Sequence, residues 1–247
     1  MRIINFIVKH LKGTQILYLA RKLRKYIYIY IFRTVIHVPV KIKKVNKQFF
    51  GGTAGRTICP DKITKESVVY SFGLGLDISF DLALINSFGC RVYGADPTPK
   101  SVEFLQSQDL PSEFTFKKVA IANYDGEICL YFPENQDHVS LTSGDDGARS
   151  GKTMTFPCIT IETFMKDYGH THIDILKMDI KGPEFDIIPQ LLRNNVSFDQ
   201  LVLEFAPECV EDGNEKLKKV LKLLETHDYY VFHVEPTPGY DISIMKV

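Results

Sequence analysis

The sequence predicts an α/β domain whose mostly parallel sheet ends in an antiparallel C-terminal hairpin, preceded by a basic N-terminal extension. Three observations carry this. Residues 68–96, VVYSFGLGLDISFDLALINSFGCRVYGAD, read as strand, glycine turn, helix and second strand. Strand and helix patterns then alternate as far as His227. Beyond it, two apolar runs are joined only through Pro236-Thr237-Pro238-Gly239, which is too short for a parallel crossover. With 247 residues, 45% hydrophobic, the chain can bury the core such a sheet needs.

The first 60 residues hold 13 of the 30 Lys and Arg and no acid, which leaves a net charge of −13 beyond them. Residues 1–48 alternate apolar patches with clusters such as Arg21-Lys22 and Arg24-Lys25. Their uncharged stretches fall well short of the roughly 20 residues a membrane span needs. The apolar start is brief for a signal peptide and lacks a small-residue cleavage site. Two readings of this extension stay open. Either it lies on an anionic membrane surface, or it packs on the domain or on a second copy. Nucleic acid is not expected, because Tyr26 to Phe32 reads as a buried strand rather than a stacking platform. The glycine cluster Gly51-Gly52-Thr53-Ala54-Gly55 reads as a flexible joint, so the main domain is taken as residues 49–247. Five scattered cysteines without a C-x-x-C pair suggest neither disulfides nor zinc. They fit a reducing compartment, the cytoplasm, at a membrane surface if the first reading of the extension holds.

The glycine turn sets the chemistry. Gly73 and Gly75 let the backbone bend sharply and let a ligand lie against bare main chain. Asp77 stands where the following helix wants an N-cap, and Gly89 where it would stop. Asp96, 23 residues after Gly73, ends the second strand, where a carboxylate accepts hydrogen bonds from both ribose hydroxyls. The third glycine of the dinucleotide fingerprint is absent, since Ile78 occupies its place. Asp77 also puts negative charge where a pyrophosphate would sit, whereas S-adenosylmethionine brings positive sulfonium and amino groups. That favours a methyl donor over NAD.

The remaining elements follow in order. Lys100 to Gln108 reads as a helix, Phe114 to Ala122 as a strand, and Glu127 to Phe132 as its hairpin partner across an Asn123-Tyr124-Asp125-Gly126 turn. Residues 133–152 form a long polar loop of the kind that is usually functional or disordered. Met154 to Cys158 returns to strand, Ile161 to Tyr168 to helix, and His172 to Asp179 is a buried strand ending on an acid. Pro183 suits the first turn of the next helix, running to about Arg193. Gln200 to Phe205 is a further strand, Asn214 to His227 an amphipathic helix, and Tyr229 to Val234 with Asp241 to Val247 the closing hairpin.

Tyr70-Ser71-Phe72-Gly73-Leu74-Gly75, Asp96-Pro97-Thr98 and Ile173 to Glu184 (IDILKMDIKGPE) together resemble the FkbM family of methyltransferases. His138-Val139-Ser140 and Gln200 to Phe205 are similar to segments of its members. The resemblance runs from about Phe49 to the C-terminus. It implies a class I methyltransferase fold, a Rossmann-like sheet, with S-adenosyl-L-methionine as cofactor and O-methylation of a sugar, glycan or other small hydroxylated metabolite. Two departures stand out. Ser71 replaces an acid before the glycine turn, and Lys181 replaces a common Glu in the third block.

Cofactor contacts are therefore expected from Ser71, Gly73, Gly75, Asp77 and Asp96, with Asn123 reaching the adenine. Asp179, at the carboxyl end of a central strand, is the candidate to orient or deprotonate the acceptor. Glu184 in the first turn and His138 in the polar loop are further catalytic candidates. No ligand spacing calls for a metal. Two rivals remain open: an NAD-dependent oxidoreductase, and a silent binding module kept in view by Ser71 and Lys181.

Overall fold

The computed structural model describes residues 36–133, 149–235 and 240–247. Expectations that fall on residues 1–35, on His138 and its loop, and on the turn at 236–239 lie outside the described residues.

The centre of the molecule is a seven-stranded sheet. Its strands are β3 (Val68–Phe72), β4 (Arg91–Ala95), β5 (Phe114–Lys117), β9 (His172–Met178), β10 (Ser197–Phe205), β11 (Tyr229–Val234) and β12 (Tyr240–Lys246). Their spatial order is β11-β12-β10-β9-β3-β4-β5. Pairs from β10 through β5 are parallel, while β12 runs antiparallel to both β10 and β11. The strands are apolar on both sides because helices cover both faces. Along β3, Tyr70 and Phe72 enter one core with Phe164, Ile188 and Leu201, and Val69 enters the other with Phe80, Leu84 and Val202.

The α-helices among the described residues are α1 (Ser79–Phe88), α2 (Pro99–Gln106), α3 (Ile161–Tyr168), α4 (Glu184–Arg193) and α5 (Gly213–Glu225). In α1, Phe80, Leu84 and Ile85 give the helix its buried face. It stops at Gly89, whose φ of 67° takes the left-handed conformation as its N–H closes on the Ile85 carbonyl. Asp77, the expected cap, stands one residue ahead of the N-cap position, which Ile78 occupies, and accepts from Ser79 N at 2.9 Å. In α3, the Thr160 hydroxyl accepts from Thr163 N and Gly169 ends the helix at φ 72°.

Two expectations are corrected. The strand expected over 114–122 breaks after Lys117: β6 (Ala120–Ile121) leaves the main sheet for a smaller one. Nor do the strands flanking Asn123 to Gly126 pair as a hairpin. β8 (Arg149–Ile159) lies between β6 and β7 (Gly126–Pro133), parallel to the first and antiparallel to the second. Local turn chemistry placed the reversal correctly but could not foresee a partner arriving some 30 residues later.

The glycine cluster is not a free joint. β1 (Gln48–Phe50) and β2 (Arg56–Ile58) form an antiparallel hairpin, and the loop between them is fastened to the start of α1. Gly52 N donates to Ser79 Oγ at 2.7 Å and Ala54 N to Asp77 Oδ2 at 3.0 Å. A Cβ on Gly51, which has φ 92°, would lie 2.7 Å from the Phe80 backbone, so close packing rather than flexibility explains that glycine. Upstream, Val38 is buried and the N–H groups of Lys41 and Ile42 donate to the Val231 carbonyl. No helix among the described residues is long and apolar enough to cross a membrane.

Candidate functional site

The carboxyl ends of β3, β4 and β9 open into one cleft with about 900 Å³ of free space including its mouth. A crevice beyond the carboxyl ends of parallel strands is where open α/β sheets place their ligands. The cleft has two contrasting halves. Val119, Ile121, Ile128 and Leu130 make one wall apolar, whereas Asp77, Lys177, Asp179 and Lys181 make the other charged.

Gly73 and Gly75 form the bend, with φ of 76° and 60°. A Cβ on Gly73 would fall on the carbonyl oxygen of Asp179, so only glycine fits between β3 and β9 there. The bend is tied to both neighbouring strands. Gly73 N donates to Ala95 O at 3.1 Å, and Asp179 N to Phe72 O at 3.0 Å. Asp96 closes it from the β4 side: Oδ2 accepts from Gly75 N at 3.0 Å, and Oδ1 accepts from Thr98 N at 2.8 Å and Thr98 Oγ1 at 2.7 Å. Those three bonds occupy most of a carboxylate's roughly four acceptor positions.

Around Asp179 the charged side chains form a network. Asp179 Oδ1 lies 2.9 Å from Lys181 Nζ, and Lys181 also bridges to Glu204. Arg56, on β2 and 7% exposed, sends Nη2 to within 2.8 Å of Glu204, 3.2 Å of Asp241 and 3.8 Å of Asp179. Burial pushes the Asp179 carboxyl above its ordinary value, Lys181 pulls it back and Glu204 raises it further. Burial works against the Lys181 ammonium, yet Asp179 and Glu204 together raise its pKa. Lys181 holds a φ of 53°, a left-handed backbone uncommon outside glycine, and so aims its side chain at the two acids. Arg56 is the residue that sequence reasoning missed. Counted among the basic residues of the first 60, it offered no signal, because its partners are 123 to 185 positions away.

Residues 75–231 match the family description "Methyltransferase FkbM domain". The chain belongs to the FkbM methyltransferase family. The FkbM match starts inside the glycine bend, so Arg56 and Gly73 lie upstream of it. The chain is also similar to the probable methyltransferase-like protein 24 of Rattus norvegicus, 25% identical over 181 residues, 69% of this chain. The Homo sapiens protein of the same name is 26% identical over 180 residues, 68% of this chain. In both cases the alignment spans 43% of the relative's length. Among solved structures, the Methanococcus jannaschii fibrillarin pre-rRNA processing protein superposes with a TM-score of 0.43 at 12% identity, covering 84% of this chain and 86% of that one. A human methyltransferase 10 domain containing protein gives 0.41 at 10% identity, with 92% and 94% covered.

Membership implies S-adenosylmethionine as the methyl donor, and the cleft of this FkbM domain suits it. The bare-backbone bend, the facing Asp96 and an apolar wall match a nucleoside, and Asp77 places negative charge near the bend. Although its burial acts the other way, hydrogen bonds from Ser79 and Ala54 hold the Asp77 carboxyl below its ordinary value, so it stays ionised.

Of the expected site residues, the structure brings Gly73, Gly75, Asp77, Asp96 and Asp179 into one cleft. Ser71 is fully buried one layer behind it. Asn123 is exposed in the turn after β6 and does not line the cleft. Glu184, 1% exposed, accepts from Gly182 N at 2.7 Å and Ala206 N at 3.2 Å. That geometry ties the start of α4 to the end of β10, and Glu184 does not line the cleft.

Proposed function

We propose that this chain is an S-adenosylmethionine-dependent O-methyltransferase acting on a hydroxyl of a sugar, glycan or other small metabolite. The observation that carries the reading is the Asp96 carboxylate turned onto the Gly75 N–H, which folds acid and bend into a single nucleoside cradle. When bound, S-adenosylmethionine supplies an electrophilic methyl group on a positively charged sulfur. The chain's own part is then to hold the acceptor oxygen in line with that methyl carbon, where positioning supplies most of the acceleration. Asp179 faces the cleft from the end of β9 and would take up the acceptor hydroxyl's proton at a carboxylate oxygen. Its raised pKa favours proton uptake, and Lys181 keeps the carboxylate oriented.

The charged half also supports a small or glycan acceptor over nucleic acid. With their network partners, Asp77, Asp179, Glu204 and Asp241 outnumber Arg56, Lys177 and Lys181, and excess negative charge repels a phosphodiester backbone. One observation favours the silent-module alternative: Lys181 and Arg56 already engage the Asp179 carboxylate.

Calorimetry with S-adenosylhomocysteine and with NAD tests the cofactor. The reading expects the first to bind and the second not to. D96A should weaken S-adenosylhomocysteine at least about tenfold, the loss of one charge-assisted hydrogen bond. Equal affinity for NAD, or no change in D96A, would falsify the cradle. Transfer of a labelled methyl group to a panel of glycans and hydroxylated metabolites, lost in D179N, separates an enzyme from a silent module.

A further inference from the structure

Behind the glycine bend three polar side chains from three elements converge. Ser71 on β3 stands directly opposite Lys177 on β9 in the parallel register, and Asp81 comes from the first turn of α1. Lys177 is 3% exposed, lines the charged half of the cleft, and donates from Nζ to the Gly73 carbonyl at 3.2 Å. Ser71 and Asp81 are completely buried; none of their side-chain oxygens makes a hydrogen bond of full geometry, although the Ser71 hydroxyl and the Asp81 N–H lie near enough to favour the Asp81 carboxylate. A buried ammonium held by one neutral carbonyl needs a compensating charge, and a completely buried carboxylate with only weak neutral donors needs one as well. Burial pushes the Asp81 carboxyl up, and the Lys177 charge is the largest influence bringing it down.

We propose that Asp81 is the counter-ion of Lys177 and thereby a positioning residue for the amino-acid end of an adenosyl ligand. This rests on the cofactor reading above. The apolar wall suits the adenine, which leaves the zwitterionic end of the ligand at the bend. There the Lys177 ammonium, at the cleft floor beside Gly73, meets the ligand's carboxylate. Asp81 does not line the cleft, so it acts through Lys177. Ser71, in register with Lys177, is where a strand would otherwise supply that negative charge. Here the helix supplies it from the opposite side.

The test uses the full chain and two ligands that share the adenosine but differ in the amino-acid end: S-adenosylhomocysteine and 5′-methylthioadenosine. D81N and K177M should each weaken S-adenosylhomocysteine roughly tenfold while leaving 5′-methylthioadenosine within about twofold. S71D/D81S, which moves the carboxylate to the strand, should recover most of the lost affinity, a rescue that no general packing role produces. Carbon-13 NMR of the aspartate carboxyl carbons in the unmodified chain should show Asp81 ionised near neutral pH, a readout independent of whether any variant folds. A protonated Asp81, unchanged S-adenosylhomocysteine affinity in D81N, or equal loss of both ligands would each overturn the assignment. If the unmodified chain binds neither ligand, the cofactor reading itself fails and takes this one with it.

Discussion

Arg56 draws carboxylates from β9, β10 and β12 onto one guanidinium while its Nη1 holds the Gly55 carbonyl at 3.0 Å. Removing one partner of a buried charged cluster leaves the others uncompensated, at roughly 3–5 kcal/mol. R56M should therefore lower the denaturation midpoint sharply, and R56K should restore only part, because an ammonium cannot fork between acids. Urea titration of the two variants checks this. Glu184 gives a second prediction at the same scale. Burial pushes its carboxyl up to about 7, against backbone hydrogen bonds that favour the charged form. The folded chain thus holds a proton that the unfolded chain releases near 4.5, so stability declines as pH rises from about 4.5 to about 7 and is level above that. The fall amounts to roughly 3 kcal/mol. Thermal melts across this range should show it, and E184Q should flatten it. A single sequence could nominate Glu184 as an acid near the site. It could not show that both oxygens are taken by backbone N–H groups, those of Gly182 and Ala206, that lie 24 positions apart.

At the level of elements, the bend explains why two glycines of similar φ differ in what they tolerate. A methyl group on Gly73 collides with the Asp179 backbone, whereas one on Gly75 meets nothing within 4 Å. G75A should cost only the left-handed penalty of about 1–2 kcal/mol. G73A should in addition spread β3 from β9, lowering the melting temperature well beyond G75A. Differential scanning calorimetry compares them. The first βαβ unit was legible because its signals are local: an apolar run, glycines, a helical period, then a terminal acid. The β6-β8-β7 sheet was not, since the partner of Ile121 is Ile159, and no pattern near either residue names the other. Asn123 was misplaced for the same reason. The strand before it leaves the main sheet, and the turn goes with it.

Across the whole molecule, the charge asymmetry read from the sequence ends at a different place from the packing. Val38 is buried, Lys41 and Ile42 bond to β11, and Ile36 N donates to the Tyr240 hydroxyl at 2.5 Å. A chain starting at residue 49 should consequently melt lower than one starting at residue 36, and circular dichroism melts of the two measure the difference. The proposal that residues 1–48 serve as a membrane-surface or self-association segment is tested by comparing the full chain with both shortened ones through vesicle sedimentation and light scattering. Loss of either property already in the chain starting at residue 36 would place it in residues 1–35, and loss only in the chain starting at residue 49 would place it in residues 36–48.

β12 lies between β10 and β11, although it is the last strand of the sequence. The stretch that defines the family closes at residue 231, before that strand begins, and opens at residue 75, after β3 is finished. Anyone grafting this catalytic unit onto a relative must carry both flanks along, because a transplant cut to the recognisable core would leave a gap in the middle of its own architecture.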